Sequence, residues 1–202
     1  VYDPATTPPA TLPNTLEELA DERYKGRFGF APSNASFHAQ LALYRVLKGP
    51  EALADLLRDL KRNTAKLYSD NGEVVQAVAR GEIAFGLVNH YSVWRESSEL
   101  PAGRLATAFM RGPGAAGFVN AAGIGILAAD PRAFDLVRFL LSAEAQRRFA
   151  DEAYEYPLAK GIPAREGLPP FSTLRIPTFD FADVAAVTDD TDQAMRKAGL
   201  LP

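Results

Sequence analysis

The chain has 202 residues, of which 47% are hydrophobic and 23% are charged, and its formal net charge is −3 at pH 7. This length suits one large domain or two small ones, and the weak negative charge gives no reason to expect a nucleic acid or an anionic membrane as a partner. The sequence contains no cysteine, which excludes thiol catalysis, disulfide bonds and cysteine-ligated zinc or iron–sulfur sites.

Two common catalytic signatures are also missing from the sequence. Neither HExxH nor GxSxG occurs, and the histidines are His38 and His90. No apolar stretch is long enough to span a bilayer. Val1 is not an initiator methionine and no signal peptide is visible, so we expect a chain that is processed, trimmed or a fragment.

The first part of the chain predicts an arm followed by a strand and a helix. Four prolines among residues 1–15 predict an extended arm or linker. Leu16 to Ala20 then predicts a short helical turn with Thr15 as its cap. Arg27 to Ala31 is a strand candidate, and a helix follows as far as Leu47. The predicted buried face of this helix consists of Phe37, Leu41, Tyr44 and Leu47.

Ser33, Asn34 and Ser36 lie at the junction between this strand and this helix. Such a junction presents free backbone N–H groups and the positive end of the helix dipole, which together suit an anion. Ordinary N-capping by the same side chains is the alternative interpretation. The pattern alone leaves both open.

The next segments continue the alternation of helices and strands. Pro50 begins a helix with a stripe of leucines, and Lys66 to Tyr68 is a brief strand candidate. Asp70-Asn71-Gly72 predicts a turn, and Glu73 to Ala79 predicts a helix. The leucines of the stripe are Leu53, Leu56, Leu57 and Leu60.

Ile83 to Val88 is an apolar run that predicts a buried strand with a polar end. Ligands in open α/β sheets bind where the carboxyl ends of the strands meet a change in connection. The residues that directly follow this run are Asn89, His90, Tyr91 and Ser92. We interpret this end as a candidate ligand site, and a strand that ends in an ordinary polar turn is the alternative.

Two further elements complete an α/β pattern. Tyr91 to Ser98 predicts a helix and Leu105 to Met110 a strand, so strands alternate with helices and imply a mainly parallel sheet flanked by helices. Gly112-Pro-Gly-Ala-Ala-Gly117 matches GxGxxG literally, but a dinucleotide fingerprint requires a helix that opens from those glycines. Phe118 to Ala128 instead predicts a strand, and we therefore reject a dinucleotide site.

The last third of the chain predicts two helical regions separated by an irregular one. Pro131 to Ala150 is helical, with a break that Ser142 caps. Residues 153–182 are proline-rich, and an irregular segment of this length is usually functional or a crossing between domains. Asp189 to Ala198 predicts the last helix. The predicted apolar face of the first helical region consists of Phe134, Val137, Leu141, Ala145 and Phe149.

A succession of stretches carries a resemblance that covers the whole chain. The stretches are Leu16-Glu-Glu-Leu-Ala-Asp, Tyr24-Lys-Gly-Arg-Phe-Gly-Phe-Ala-Pro, Ser33-Asn-Ala-Ser-Phe37, Asn71-Gly-Glu-Val-Val-Gln-Ala-Val-Ala-Arg-Gly-Glu82, Leu87-Val-Asn-His-Tyr91, Gly112-Pro-Gly-Ala, Ala122-Gly-Ile-Gly-Ile-Leu, Phe139-Leu-Leu-Ser-Ala-Glu-Ala-Gln146, Glu155-Tyr-Pro-Leu158 and Ala198-Gly-Leu-Leu. In order and approximate spacing they resemble the ferric-iron-binding periplasmic proteins of ABC importers, which are type II periplasmic binding proteins.

The resemblance implies a periplasmic-binding-protein-like α/β fold whose two lobes close on a ligand. It also implies capture, not catalysis, in the periplasm or another extracytoplasmic space, for the membrane permease of an ABC importer. Residues 1–110 and 173–202 correspond to the second lobe, and residues 111–172 to a part of the first. The second lobe is thus complete and the first only partial, so we expect a missing N-terminal lobe or a self-associated copy as a further partner.

The resemblance also implies a site. In that family two adjacent tyrosinates bind Fe3+, and a synergistic anion such as phosphate or carbonate completes the coordination. Tyr91 matches the first tyrosine, but Ser92 stands at the second position and is a far weaker ligand. A phenol has a pKa of about 10, so its ionisation near neutral pH requires the charge of the cation. The anion-contacting stretches correspond to Asn34, Ala35, Ser36, Asn71 and Asn89.

Three alternatives remain open at the level of sequence. In the first alternative, the same fold binds a small anion or an organic solute without metal, as the serine at position 92 suggests. In the second, the chain is a non-binding fragment that lacks its first lobe. In the third, the chain is a small α/β enzyme. No pair of cleft carboxylates is visible to support the third alternative, since Glu73 and Glu82 are predicted to be solvated.

Overall fold

The computed structural model describes residues 1–64, 66–96, 98 and 100–202. These residues divide into two compact units, one formed by residues 1–119 and 175–202 and the other by residues 120–174. The elements in chain order are β1 (Phe28–Phe30), α1 (Ala35–Lys48), α2 (Pro50–Asn63), β2 (Lys66–Leu67), α3 (Asn71–Ala79), β3 (Phe85–Leu87), α4 (His90–Glu96), α5 (Pro131–Leu140), α6 (Ala143–Glu152), α7 (Phe181–Ala186) and α8 (Thr188–Lys197). Short 3-10 turns lie at Pro9–Thr11, Glu17–Ala20, Glu22–Tyr24, Gly114–Gly117 and Phe171–Thr173.

The first unit is built on a parallel sheet with the strand order β2-β1-β3. In this sheet Gly29 pairs with both Lys66 and Gly86. A Cβ on Gly29 would lie 2.8 Å from the carbonyl oxygen of Lys66, so glycine is needed for the strands to approach this closely. The predicted parallel α/β sheet is confirmed, and helices cover it as such sheets require.

Apolar side chains from the sheet and from α1, α2 and α8 form the main core of this unit. Phe28 and Phe85 stack with ring centroids 5.6 Å apart, and Tyr24 meets Phe85 edge-on at 5.6 Å. All four leucines of the predicted α2 stripe are buried, as the helical spacing predicted. A second cluster forms around α3. It contains Val1, Ala31, Tyr68, Val74, Val75, Ala77, Val78, Ile83 and Val93.

The first residues are packed into the first unit, which corrects the predicted arm. Val1, Tyr2 and Asp3 are buried. The N–H of Tyr2 donates to the carbonyl of Ala106 at 3.0 Å, and the N–H of Ala106 donates back at 2.9 Å. The N–H of Gly86 donates to Val1 O at 2.8 Å, so this short apolar segment continues the pairing of β3. The predicted strand at Leu105 to Met110 is wrong, because pairing there is limited to the bridge at Ala106.

Caps decide where several helices begin. The side chain of Asp70 accepts from the N–H of Glu73 at 2.9 Å, so Asn71 and Gly72 form the first turn of α3 and the predicted turn is wrong. Leu47 is exposed, contrary to the predicted face of α1. The helix predicted over residues 91–98 ends at Glu96, and Ser97 lies outside the described residues.

The second unit consists of α5, α6 and irregular backbone. The predicted break is confirmed, because the N–H of Ala145 donates to Ser142 Oγ at 3.3 Å. Gln146 is buried and links three segments: its Nε2 donates to Leu140 O at 2.8 Å, and its Oε1 accepts from the N–H of Leu158 at 2.7 Å. These amide bonds hold α6 against the chain on both sides of it.

Two predictions for this region are wrong. All of residues 118–128 are described and none forms a strand, which requires the regular backbone hydrogen bonds of a neighbouring strand. Of the predicted apolar face over residues 131–150, only Ala145 is buried. The second unit instead exposes large apolar side chains, which are Ile124, Ile126, Leu127, Phe134, Leu136, Phe139, Leu141, Leu158 and Phe171.

Among the described residues, none of the helices combines the length and the apolar character that crossing a membrane requires.

Candidate functional site

A cavity of about 470 Å³ lies in the first unit, beyond the carboxyl ends of the strands. The residues that line it follow β1, β2 and β3, or lie in the helices that begin there. This is where a parallel α/β sheet places a ligand, since the strands end at one edge and the helices start from it. The lining consists of Asn34, Asp70, Asn71, Gly72, Glu73, Tyr91, Ser92, Arg95 and Glu96.

Asn34 lies at the end of the connection between β1 and α1. Its side chain accepts from the N–H of Phe37 at 3.1 Å, so the residue is the N-cap of α1. The capping interpretation of this junction is thus confirmed, and anion binding stays a prediction for a residue that also lines the cavity. Ala35 is exposed and Ser36 is half-buried, and neither lines the cavity.

Asn71 and Asn89 connect the segments that follow β2 and β3. Asn71 Nδ2 donates to Asn89 Oδ1 at 2.8 Å. Asn71 lines the cavity, whereas Asn89 does not. The hydrogen bond from Asn71 to Asn89 fixes the orientation of the Asn71 amide. Of the five residues predicted to contact an anion, Asn34 and Asn71 thus reach the cavity directly.

Tyr91 and Ser92 lie in the first turn of α4, as the end of the apolar strand predicted. Tyr91 is half-buried on the cavity, and the ring of His90 lies against it with centroids 5.5 Å apart. The centroid of the same imidazole lies 6.0 Å from that of the Phe109 ring, so His90 packs between the rings of Tyr91 and Phe109.

Ser92 differs from Tyr91 in its degree of burial. Ser92 lines the cavity but is only 1% exposed, because this side of α4 packs toward α3. Its hydroxyl oxygen is buried and has no hydrogen-bond partner among the described residues. A buried hydroxyl without a partner costs free energy, so it marks a place where a polar ligand or a neighbouring group is expected.

Sequence reasoning did not identify the charged part of the lining. Asp70, Glu73 and Glu96 face one cationic side chain, Arg95, so the cavity is acidic. Asp70 serves as the cap of α3, and Glu73 Oε2 accepts from the N–H of Ser69 at 3.1 Å. Arg95 Nε donates to Glu96 Oε1 at 2.9 Å. The signal that could have revealed Glu96 is its spacing of four from Ser92 on one helix.

The chemistry of the lining restricts what the cavity can bind. Among the described residues, no three histidine, aspartate or glutamate side chains form a group that could hold a metal ion. A hard cation here would depend on the phenol oxygen of Tyr91 together with carboxylate oxygens, which suit Fe3+ by charge and by hardness. A free anion would meet a negative cavity and would need a cation beside it.

Comparisons with known proteins show which proteins this chain resembles. Residues 1–184 match the family model of bacterial extracellular solute-binding proteins. The Fe(3+)-binding periplasmic protein of Serratia marcescens is 28% identical over 207 residues, which cover 100% of this chain and 60% of that protein. The major ferric iron-binding protein of Neisseria meningitidis serogroup B is also 28% identical, with 99% and 61% covered. The chain therefore spans about 60% of the length of these curated relatives.

Solved structures show the same similarity. Iron-bound HitA from Pseudomonas aeruginosa superposes with a TM-score of 0.89 at 30% identity, over 98% of this chain and 65% of that one. Apo FutA2 from Synechocystis has a TM-score of 0.80 at 24% identity, over 99% and 67%, and supports the fold alone. The periplasmic-binding-protein-like fold expected from the sequence is thus confirmed.

Proposed function

We propose, from the premise that this chain belongs to the family of bacterial extracellular solute-binding proteins, that it captures ferric iron outside the cytoplasm for the membrane permease of an ABC importer. The observation that carries this proposal is the position of Tyr91, which lies on an acidic cavity at the carboxyl ends of the strands. The two curated relatives are iron-binding proteins by name, which supports capture over catalysis.

Tyr91 is the metal ligand of this proposal. A bound ferric ion would hold this side chain as a phenolate, and the phenol proton would pass to solvent. A synergistic anion such as phosphate or carbonate would complete the coordination beside Asn34 and Asn71, the two residues among the five predicted anion contacts that line the cavity. The acidic lining would repel such an anion until the cation is present, so we expect the two to bind together.

The test is a titration of the protein, produced from its complete reading frame, with a ferric salt and carbonate or phosphate. We expect a visible absorption band from phenolate to iron, and its loss in Tyr91→Phe. Tyr154→Phe is the matched control, since Tyr154 lies in the other unit and phenylalanine keeps the ring that Arg165 stacks on. Absence of the band in the wild-type protein would refute iron capture.

A second candidate keeps the fold and changes the ligand. The observation that favours it is Ser92, which stands where the resemblance expects a second tyrosine. In this case Asn34, Asn71 and Asn89 hold a small anion or an organic solute without metal. Calorimetry with phosphate, carboxylates and small phosphorylated compounds would reveal that ligand, and no heat from any of them would count against it.

A further polypeptide belongs to this proposal as a partner. The second unit exposes large apolar side chains, and Leu127 is fully exposed at 100%. Exposed apolar surface of this extent marks an interaction site in most soluble proteins. We propose that an N-terminal lobe or a second copy of the chain covers it, and that without this cover the chain is a non-binding fragment. A monomer by light scattering, with a fully protected core in hydrogen exchange, would contradict the proposal.

A further inference from the structure

Helix α4 carries two cavity residues that stand one turn apart. Ser92 and Glu96 are four residues apart, so their side chains lie on the same face of the helix. Side chains on an α-helix tilt toward its N-terminus, which brings the carboxylate of Glu96 back toward the turn that contains Tyr91 and Ser92. All three residues line the same cavity.

The opposite wall of the cavity leaves room for this carboxylate. Gly72 lies in the first turn of α3, and a Cβ built on it would lie 3.3 Å from Glu96 Cδ and 3.4 Å from Glu96 Oε1. The carboxylate of Glu96 therefore lies directly against the glycine, at the positive end of a nine-residue helix. Any larger residue at position 72 would push the carboxylate away.

A second and independent observation points to a ligand at the same place. The hydroxyl of Ser92 is buried without a hydrogen-bond partner among the described residues, in a side chain that lines the cavity. This hydroxyl thus belongs to a residue that shares its cavity with the acidic side chains Asp70, Glu73 and Glu96, and a buried polar atom without a partner indicates a place for a polar ligand. Arg95 Nε donates to Glu96 Oε1 at 2.9 Å and orients the carboxylate.

We infer that Glu96 supplies the anionic oxygen that position 92 lacks, so that ferric iron is held by the phenolate of Tyr91 and the carboxylate of Glu96. This inference rests on the proposed function. A carboxylate oxygen is a hard anionic ligand of the kind that suits ferric iron, whereas the hydroxyl of Ser92 is a weaker one.

The experiment compares Glu96→Gln with the wild-type protein from its complete reading frame, in ferric titrations against citrate as a competitor. We expect the phenolate-to-iron band to remain, because Tyr91 is intact, while the affinity for iron falls by roughly tenfold or more, which even an indirect supporting group of a metal site is worth. Glu96→Asp keeps a carboxylate and should recover part of the loss.

Glu82→Gln is the matched control, because Glu82 lies in the same unit, accepts from Arg80 Nε at 2.6 Å and does not line the cavity. It should leave the affinity for iron within about twofold of the wild-type value, since an exposed ion pair outside the cavity contributes little. Unchanged affinity in Glu96→Gln, with a normal band, would overturn the inference and leave the proposed function standing. No band in the wild-type protein would instead refute the proposed function, and the role of Glu96 with it.

Discussion

Helices α2 and α5 carry the same kind of apolar stripe, but they differ in what covers it. The leucines of α2 are at most 4% exposed, because α1, α8 and the sheet lie against them. On α5, Phe134 is 48% exposed and Phe139 is 52% exposed. An amphipathic pattern therefore determines which face of a helix is apolar, while burial depends on the layer that packs on that face.

The largest expected effect comes from shortening one side chain in each helix. Leu57→Ala should lower the free energy of unfolding by about 2–5 kcal/mol, because it leaves a cavity in a packed core. Phe139→Ala should change it by less than about 0.5 kcal/mol, because half of that ring already faces solvent. Urea unfolding, with hydrogen exchange to assign each loss to a unit, provides the measurement. Equal losses in the two variants would show that α5 is covered as α2 is.

A smaller effect should follow from removing the central amide of the second unit. Gln146→Ala leaves the carbonyl of Leu140 and the N–H of Leu158 without their partner, which costs about 1–3 kcal/mol for buried groups. We expect faster hydrogen exchange over residues 140–160 and unchanged exchange in α2. Gln40→Ala is the control in the first unit, since it removes a comparable amide bond to Ala115 O there. Faster exchange throughout the chain would contradict the division into two units.

The smallest expected effect is a pH dependence confined to the first unit. The N–H of Ala5 and the guanidinium of Arg104 lower the pKa of Asp3 below its ordinary value. A carboxyl group with a depressed pKa contributes stability above its ordinary pKa of about 3.9, and this contribution is lost as the pH falls through its lower value in the fold. Asp3→Asn should therefore be less stable than the wild type at neutral pH.

The difference in stability between Asp3→Asn and the wild type should narrow as the pH falls from about 4, where Asp3 of the unfolded chain takes up its proton, through the lower pKa that Asp3 has in the fold. Thermal unfolding from neutral to acid pH measures it. Arg104→Lys keeps a positive charge for Asp3 and serves as the comparison. A difference that stays constant down to the lowest pH would show that Asp3 acts through packing alone.

Local sequence predicted those elements that local chemistry completes. Asn34, Asp70 and Ser142 each cap a helix with their own side chain, so the starts of α1, α3 and α6 depend on a few neighbouring residues. The strand that ends before Asn89 was predicted for a similar reason, since its apolar run is long and bounded by polar residues. The strand predictions for Leu105 to Met110 and for Phe118 to Ala128 are wrong, because a strand exists only where another strand pairs with it through backbone hydrogen bonds.

The sequence by itself determined the family, the parallel α/β order and the place of Tyr91 after the apolar strand. Those features follow from periodicity, capping and a succession of local stretches. Tertiary structure alone decided that Asp70, Glu73 and Glu96 share one cavity with Tyr91, and that the arm at Val1 is packed into the sheet. The cavity residues come from segments that are distant along the chain, and the packing of α3 against α4 brings them together. Val1 is held instead by its backbone pairing with Gly86 of β3.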